Sequence, residues 1–438
     1  MTTDKIISAI SRRLGIESLN EMQRQMLETE QRAITLIAPT GSGKTLAFSC
    51  RMLRALDNPR EEIQVAVIAP SRELVIQISS VLRPIAEGYK TVALYGGHSV
   101  ADECRSLSPV PDIVIATPGR LLDHIRRGNV NVGSVSTLVL DEYDKALQLG
   151  FEAEMKRIVS RIGKLKNLIL TSATEMTTVP DYLPLGNALH IDFSRHSAPN
   201  DRLQTVEVVS FSRDKLDTLV ALLGSFESPH RSIVFVNHRE SAERVYARLR
   251  SDNIPAILYH GALDQRQREM AVDLFANGTA LVLVATDLAA RGLDIEGVEN
   301  VVHYHLPVNE QAWVHRNGRT ARQNASGTAW VIVSEADNRP DFITTDRSYQ
   351  PVPGVHVVDT PVSTLYISAG KKEKISRGDV AGFVSASGVT APDEIGRIIV
   401  HDHHALVAVP ASKASATATA LSQIKLKGKK QRVSVVKF

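Results

Sequence analysis

The stretch AITLIAPTGSGKT, residues 33–45, decides how the rest of the chain is read. An apolar, β-branched run enters a proline, then Gly41 and Gly43, then Lys44 and Thr45. A strand that ends in such a loop and continues as a helix is a phosphate cradle. Glycines let backbone N–H groups close around phosphate oxygens, and the helix N-terminus adds favourable polarity. On this reading Thr40, Gly41, Ser42 and Gly43 line the cradle. Lys44 would reach the β- and γ-phosphates, and the Thr45 hydroxyl would ligate Mg2+. The general pattern opens with glycine, where this chain has Ala38.

The same rhythm runs outward from this point. VAVIAP, TVALYGG, DIVIATPGR, TLVLDEYD and NLILTSAT follow, each with a helix-like stretch behind it. After residue 200 it restarts with SIVFVNHRESAERVYARLR, AILYHGAL, LVLVATDLAARG and VVHYHLP, and closes near VIVSEAD at 331–337. Near-continuous apolar strands alternating with helices predict parallel sheets covered on both faces. Ligands of such folds bind beyond the carboxyl ends of the strands, where most of the unusual residues here fall. The stretch 188–204 reads as the join between two α/β domains, and 338–361 as a connection to the tail.

LVLDEYDKA, residues 138–146, is the partner of the cradle. Ionised carboxylates are costly to desolvate, so an apolar strand ending in Asp141, Glu142 and Asp144 points to a cation or basic partner. Asp141 would hold Mg2+ through its water shell, and Glu142 would polarise the water that attacks the γ-phosphate. A third cluster, HRNGRTARQ at 315–323, places three arginines and His315 on one short run. Arginine supplies planar, bidentate donors for developing phosphoryl charge, so this run suggests arginine fingers delivered by domain closure.

Bulk properties bound the answer. With 438 residues, 43% hydrophobic and 23% charged, the chain is an ordinary globular protein of two or three domains. No apolar run approaches a membrane span, and MTTDKIISAISRRLGIESLN is no secretory signal. Cys50 and Cys104 both read as buried structural thiols, which fits the cytoplasm. The net charge of +3 hides an asymmetry: residues 362–438 carry 12 Lys/Arg against 5 Asp/Glu, and the rest of the chain is net acidic. A basic module on a near-neutral body points to a polyanion, nucleic acid being the commonest.

Taken in order over residues 5–335, these motifs resemble the DEAD-box RNA helicases, enzymes with two RecA-like domains. PSREL (70–74), Gly96-Gly97 and TPGR (117–120) are similar to the family's first-domain RNA-backbone motifs. SAT (172–174) resembles the motif that links hydrolysis to strand separation, and DEYD stands for DEAD. VFVN (234–237), QRQR (265–268) and ATDLAARGLD (285–294) match the second-domain set. The resemblance implies that Gln23 reads the adenine edge and that Gly292 and Asp294 contact nucleotide. It implies Arg319 and Arg322 as fingers, with Asp144, Ser172, Thr174 and His315 coupling the domains. Arg72, Gly97, Thr117, Arg120, Arg268 and Thr286 would lie along RNA phosphates, which makes such a core insensitive to sequence.

The chain departs from the family at three places. DKIISAI, with Ile6 or Ile7, stands where an aromatic usually stacks on adenine. Ala321 replaces a usual glycine, and Tyr143 replaces the alanine of the acidic motif. If the strand continues through the motif, Tyr143 points away from the metal and packs on the adjoining helix or loop.

The tail reads strand, helix, strand, strand, helix, strand, which fits a small RRM-like α+β domain. Tyr366 keeps an aromatic on its first strand, while His404 and Leu406 occupy the third, so sheet-face stacking should be weak. The segment resembles the specificity domain of DbpA-type helicases. That resemblance implies a large-subunit, 23S-type ribosomal RNA hairpin as partner, pre-ribosomal particles as context and a monomer as the working form. Lys371, Lys372, Lys374, Lys425, Lys427, Lys429, Lys430 and Arg432 are the candidate phosphate contacts. The expected division is 1–198 and 199–345 for the RecA-like domains, 346–361 for a linker and 362–438 for the RRM-like domain. Two alternatives stay open on the sequence: an ATP-gated clamp that scarcely hydrolyses, for which Tyr143 speaks, and a tail that docks protein while the core alone binds RNA.

Overall fold

Each apolar run of the first half is a strand: β1 (Ala33–Ile37), β2 (Val65–Ile68), β3 (Thr91–Leu94), β4 (Ile113–Ala116), β5 (Thr137–Leu140) and β6 (Asn167–Ser172). With β7 (Leu189–Asp192) they form an all-parallel sheet in the order β3-β4-β2-β5-β6-β1-β7. This computed structural model describes residues 1–437 apart from Thr40, His98, 174–179, 194–201, Ser228, 288–294, Glu296, 322–325 and 353–357. It divides into two compact units, one holding the first sheet and the other the described residues beyond it.

The inner strands are buried along their length because alternate side chains serve two cores. Val65, Val67, Ile113, Ile115 and Val139 face one, while Ala66, Ile68, Val114, Leu138 and Leu140 face the other. Helices such as Lys44–Arg54 and Arg72–Ile85 cover the first face. The stretch read as the join begins with β7, which the sequence reading did not anticipate. Only Ile191 of that edge strand is buried, so it carries no apolar run to detect.

In the second unit, β8 (Leu203–Ser210), β9 (Ser232–Val236), β10 (Ala256–Tyr259), β11 (Val282–Thr286), β12 (Asn300–His303), β13 (Gly327–Ser334) and β14 (Arg347–Tyr349) repeat the architecture. Their order is β10-β11-β9-β12-β13-β8-β14, again all parallel. β14 falls in the stretch read as a connection. Its three residues pair with β8 and leave their side chains largely exposed.

The tail folds in the expected element order. β15 (Val362–Ile367), β16 (Ile398–Val400) and β17 (Ala405–Pro410) precede a small hairpin, β18 (Lys425–Leu426) and β19 (Lys429–Lys430), and then β20 (Val433–Val435). The antiparallel sheet runs β16-β17-β15-β20. Helices Arg377–Ser385 and Ala414–Gln423 close one face over Leu365, Ile367 and Val407, with Phe383 of the first helix in the same core. The fold class is therefore two parallel α/β sheets followed by an α+β domain.

Among the described residues no helix is long and apolar enough to cross a membrane. Cys50 is fully buried, and burial pushes its thiol up to about 12. Cys104 is only half-buried, a correction to its reading as a core thiol. It sits on a short, largely polar helix, Val100–Ser106, whose only buried residue is Glu103.

Candidate active site and nucleic-acid interface

β1 hands the chain to the glycine loop at Ala38, whose N–H donates to the Ser172 carbonyl at 3.1 Å. Gly41 and Gly43 take φ of 83° and 91°, the left-handed region that glycine enters freely. A Cβ on Gly43 would lie 2.5 Å from Gln23 Nε2, so that position also needs its bare backbone. Lys44 opens the following helix and turns its Nζ back onto the Ala38 and Pro39 carbonyls at 2.5 and 2.8 Å. Burial lowers the Lys44 pKa to about 8, although Glu142 and Asp141 favour its charged form.

Gln23 is held in a reciprocal cap. Asn20 N–H donates to its Oε1 at 3.0 Å, and its own N–H donates to Asn20 Oδ1 at 2.9 Å. The Gln23 Nε2 also donates to the Gly43 carbonyl at 3.4 Å, which ties this amide to the cradle. Ile6 is fully buried in the core, whereas Ile7 is 41% exposed, so of the two only Ile7 presents surface.

The acids leave the end of β5. Asp141 N–H donates to the Ile68 carbonyl at 2.9 Å, and both Asp141 and Glu142 are buried. The chain does not run on as a strand here. Glu142 turns at φ 47° and Tyr143–Gln148 is a helix. Tyr143 nevertheless packs away from the acids: it is fully buried in the second core, and its hydroxyl lies 2.7 Å from the Tyr182 hydroxyl.

Two residues absent from the sequence reading organise this pair. Thr171 donates its hydroxyl to Asp141 Oδ1 at 2.5 Å and accepts the Glu142 N–H at 3.2 Å. Lys145 Nζ sits 2.7 Å from Glu142 Oε2, both side chains being almost wholly buried. Burial, reinforced by the charge of Glu142, pushes Asp141 up to about 6 against the pull of Thr171 and Lys44. Burial also raises Asp144. Place in the chain was the available signal, since Thr171 directly precedes SAT and Lys145 directly follows DEYD.

In the second unit Arg316 and Arg319 of HRNGRTARQ part company. Arg316 is 1% exposed and forks onto both Asp287 oxygens at 2.6 Å. It also donates to the His305 carbonyl and to Asn237 Oδ1, each at 2.7 Å. Its charge is thus consumed in joining three strand ends. Arg319 is buried, with Nε 3.3 Å from the His315 carbonyl, and His315 is buried beside it. Thr40, Thr174, Gly292, Asp294 and Arg322 lie outside the described residues.

The proposed RNA contacts of the first unit sit beyond β2, β3 and β4. Ser71 caps the helix that Arg72 begins, accepting the Leu74 N–H at 3.3 Å. Gly97 takes φ 101°, and Thr117 precedes the helix Pro118–Arg126 that carries Arg120. In the second unit Thr286 ends β11, and Arg268 stacks its guanidinium 5.3 Å from the Tyr259 ring. In the tail all eight basic candidates are exposed. The β18–β19 hairpin lies beside the 371–374 turn, because Lys427 Nζ donates to the Lys374 carbonyl at 2.6 Å and pairs with Asp379 at 2.7 Å. Lys427 is thereby partly engaged, unlike the charges imagined from sequence. Tyr366 of β15 stacks on His404 at 5.3 Å and His404 on His401 at 4.5 Å, both histidines lying in the turn between β16 and β17.

Comparison with known proteins identifies the family. The DEAD/DEAH box helicase family matches residues 20–181, the helicase conserved C-terminal domain 214–324, and the DbpA RNA binding domain 364–435. The chain is 35% identical to the ATP-dependent RNA helicase DbpA of Escherichia coli, over 91% of this chain and 90% of that protein. It is 34% identical to the DEAD-box ATP-dependent RNA helicase CshA of Bacillus subtilis, over 75% of this chain and 67% of the relative. A solved structure of Dbp5 from S. cerevisiae, bound to RNA and an ADP–beryllium fluoride, covers 76% of this chain and 87% of its own at 26% identity, with a TM-score of 0.67. The chain belongs to the DEAD-box ATP-dependent RNA helicases, which are RNA-stimulated ATPases, and it ends in an RNA-binding domain of the DbpA type.

Proposed function

We propose that this helicase remodels structured ribosomal RNA locally during large-subunit assembly in the cytoplasm, working as a monomer whose tail grips a 23S-type hairpin. The observation that carries this reading is the exposed basic surface of the tail, where the 371–374 turn and the β18–β19 hairpin adjoin. It lies on the domain that matches the DbpA type. The domain division 1–198, 199–345 and 362–438, with a linker at 346–361, is kept as part of this reading.

The residues of the cradle fit a magnesium nucleotide. A bare-backbone loop, an ammonium held on oxygens, a hydroxyl on Thr45 and a buried acid pair are a suitable donor set. Asp141 and Thr45 would hold Mg2+, largely through water, and the ion when bound neutralises charge on the β- and γ-phosphates. Lys44 exchanges its loop carbonyls for phosphate oxygens. Glu142 orients the attacking water and takes its proton, with Lys145 fixing its rotamer. Arg319 and Arg322 stabilise the charge that develops on the transferred phosphoryl group. Gln23, anchored to Gly43, selects adenine, and Gly292 and Asp294 complete the nucleotide contacts. Asp144, Ser172, Thr174 and His315 couple hydrolysis to strand separation.

Steady-state ATPase activity of the purified chain, alone, with generic RNA and with ribosomal RNA, tests the reading. Strong stimulation by ribosomal RNA above generic RNA is expected. Equal stimulation by both removes the ribosomal target, and absence of turnover under all conditions leaves an ATP-gated clamp.

A further inference from the structure

Glu103 is a buried carboxylate that the ATP chemistry does not use. It lies on the helix Val100–Ser106 and is 6% exposed. Its Oε1 accepts the Tyr95 N–H at 3.2 Å, immediately before Gly96-Gly97. Its Oε2 accepts the Arg120 Nε–H at 2.6 Å and lies 2.8 Å from His124 Nε2. Arg120 and His124 are one turn apart on the helix Pro118–Arg126, and His124 is fully buried. The Asn129 amide nitrogen is 3.2 Å from His124 Nδ1. An amide nitrogen only donates, so Nδ1 is the acceptor and Nε2 carries the proton toward Glu103. A third loop meets the same place: a Cβ on Gly96 would lie 3.0 Å from the Arg72 guanidinium.

A buried carboxylate must be matched by donors. These donors come from the loop after β3 and from the helix Pro118–Arg126, and both segments carry proposed RNA contacts. Nε–H is the one guanidinium donor outside the terminal pair. A short charge-assisted bond to it fixes the plane of the Arg120 guanidinium. The other oxygen pins the backbone at the entry to the Gly96-Gly97 turn. We infer that Glu103 is a positioning residue for RNA. It locks Arg120 to the Gly96-Gly97 turn, so that both meet the backbone of one strand in fixed register. This rests on the reading of Arg120 and Gly97 as RNA contacts.

The test is a double-mutant cycle in the full chain, read as the single-stranded oligoribonucleotide concentration that half-saturates ATPase stimulation. Glu103→Gln keeps the volume and an acceptor for Tyr95 but removes the charge that holds Arg120. It should raise half-saturation about tenfold, the worth of one charge-assisted hydrogen bond. The rate at saturating RNA should change much less, a split that general loss of folded protein does not produce. Arg120→Ala should also raise half-saturation, and Glu103→Gln should add little to it, because one acts through the other. Full additivity, or an unchanged half-saturation for Glu103→Gln beside a raised one for Arg120→Ala, overturns the positioning role and leaves the Arg120 contact standing. If neither single variant moves half-saturation, the RNA reading of the TPGR loop itself falls. All variants are compared well below their melting temperatures. Glu103→Asp, one methylene shorter, replaces Glu103→Gln in the cycle should that variant not fold.

Discussion

At the residue scale, the acid loop separates chemistry from packing. Glu142→Gln keeps the shape and loses the proposed base. It should bind ATP and RNA while turnover falls by about a thousandfold, as read by equilibrium binding beside steady-state ATPase. Normal turnover in that variant would falsify the assignment of Glu142. Tyr143 belongs to the packing side, since its ring fills the second core and its hydroxyl meets Tyr182. Tyr143→Ala, which restores the alanine usual in the family, opens a cavity and should cost about 3–5 kcal/mol of stability in denaturant melts. Tyr143→Phe loses only a hydrogen bond and should cost about 1 kcal/mol. At temperatures where each is folded, both should retain ATPase activity, and a Tyr143→Phe enzyme without turnover would place the phenol in the mechanism.

Among the elements, the β18–β19 hairpin is the one whose role rests on charge alone. Its Lys425, Lys429 and Lys430, with the neighbouring Arg432, are exposed and not held as Lys427 is. Replacing these four by glutamine should weaken RNA binding. The slope of log affinity against log salt should become shallower by roughly 0.7–0.9 for each phosphate contact removed. An unchanged slope in binding titrations moves the RNA site elsewhere. The same elements show what patterning reveals. Strands β1, β2, β4 and β5 could be read from apolar runs because they are buried on both faces. Edge strands β7 and β14 could not, since one neighbour supplies their hydrogen bonds and few of their side chains enter a core.

Within the second unit, at the scale of the whole molecule, the tail domain is joined to the parallel-sheet domain by specific contacts. Thr279 and Thr364 share a buried hydroxyl–hydroxyl bond of 2.7 Å, and His401 Nε2 lies 2.6 Å from Asp273. The Asp273 carboxylate raises the His401 pKa above 6.5, with Glu269 helping and burial and Lys371 opposing. His404, stacked on His401, is lowered by burial; His401 and Arg266 lower it further, and Asp273 and Glu269 oppose them. Because the folded His401 value is raised, its contribution is whole below about pH 6.5 and drains away as pH rises through the folded value. The stability difference between the wild-type chain and His401→Gln should therefore shrink from about pH 5.5 to 8.5. Thermal melts across that range check it, and a constant difference would remove the ion pair as its cause.

The sequence by itself determined what local chemistry can specify. Gly41 and Gly43 announce a backbone conformation, DEYD an acid pair, and the apolar runs a parallel sheet. Each of these signals is complete within a dozen residues. Only the tertiary structure decided which charges are spent inside. Arg316 on Asp287, Asp141 on Thr171 and Glu103 on Arg120 all depend on how strand ends are brought together. It also decided that Tyr143 starts a helix and finds Tyr182, thirty-nine residues on. A side chain's burial and its partners are set by contacts between distant segments, and no short window of sequence contains both halves of such a pair.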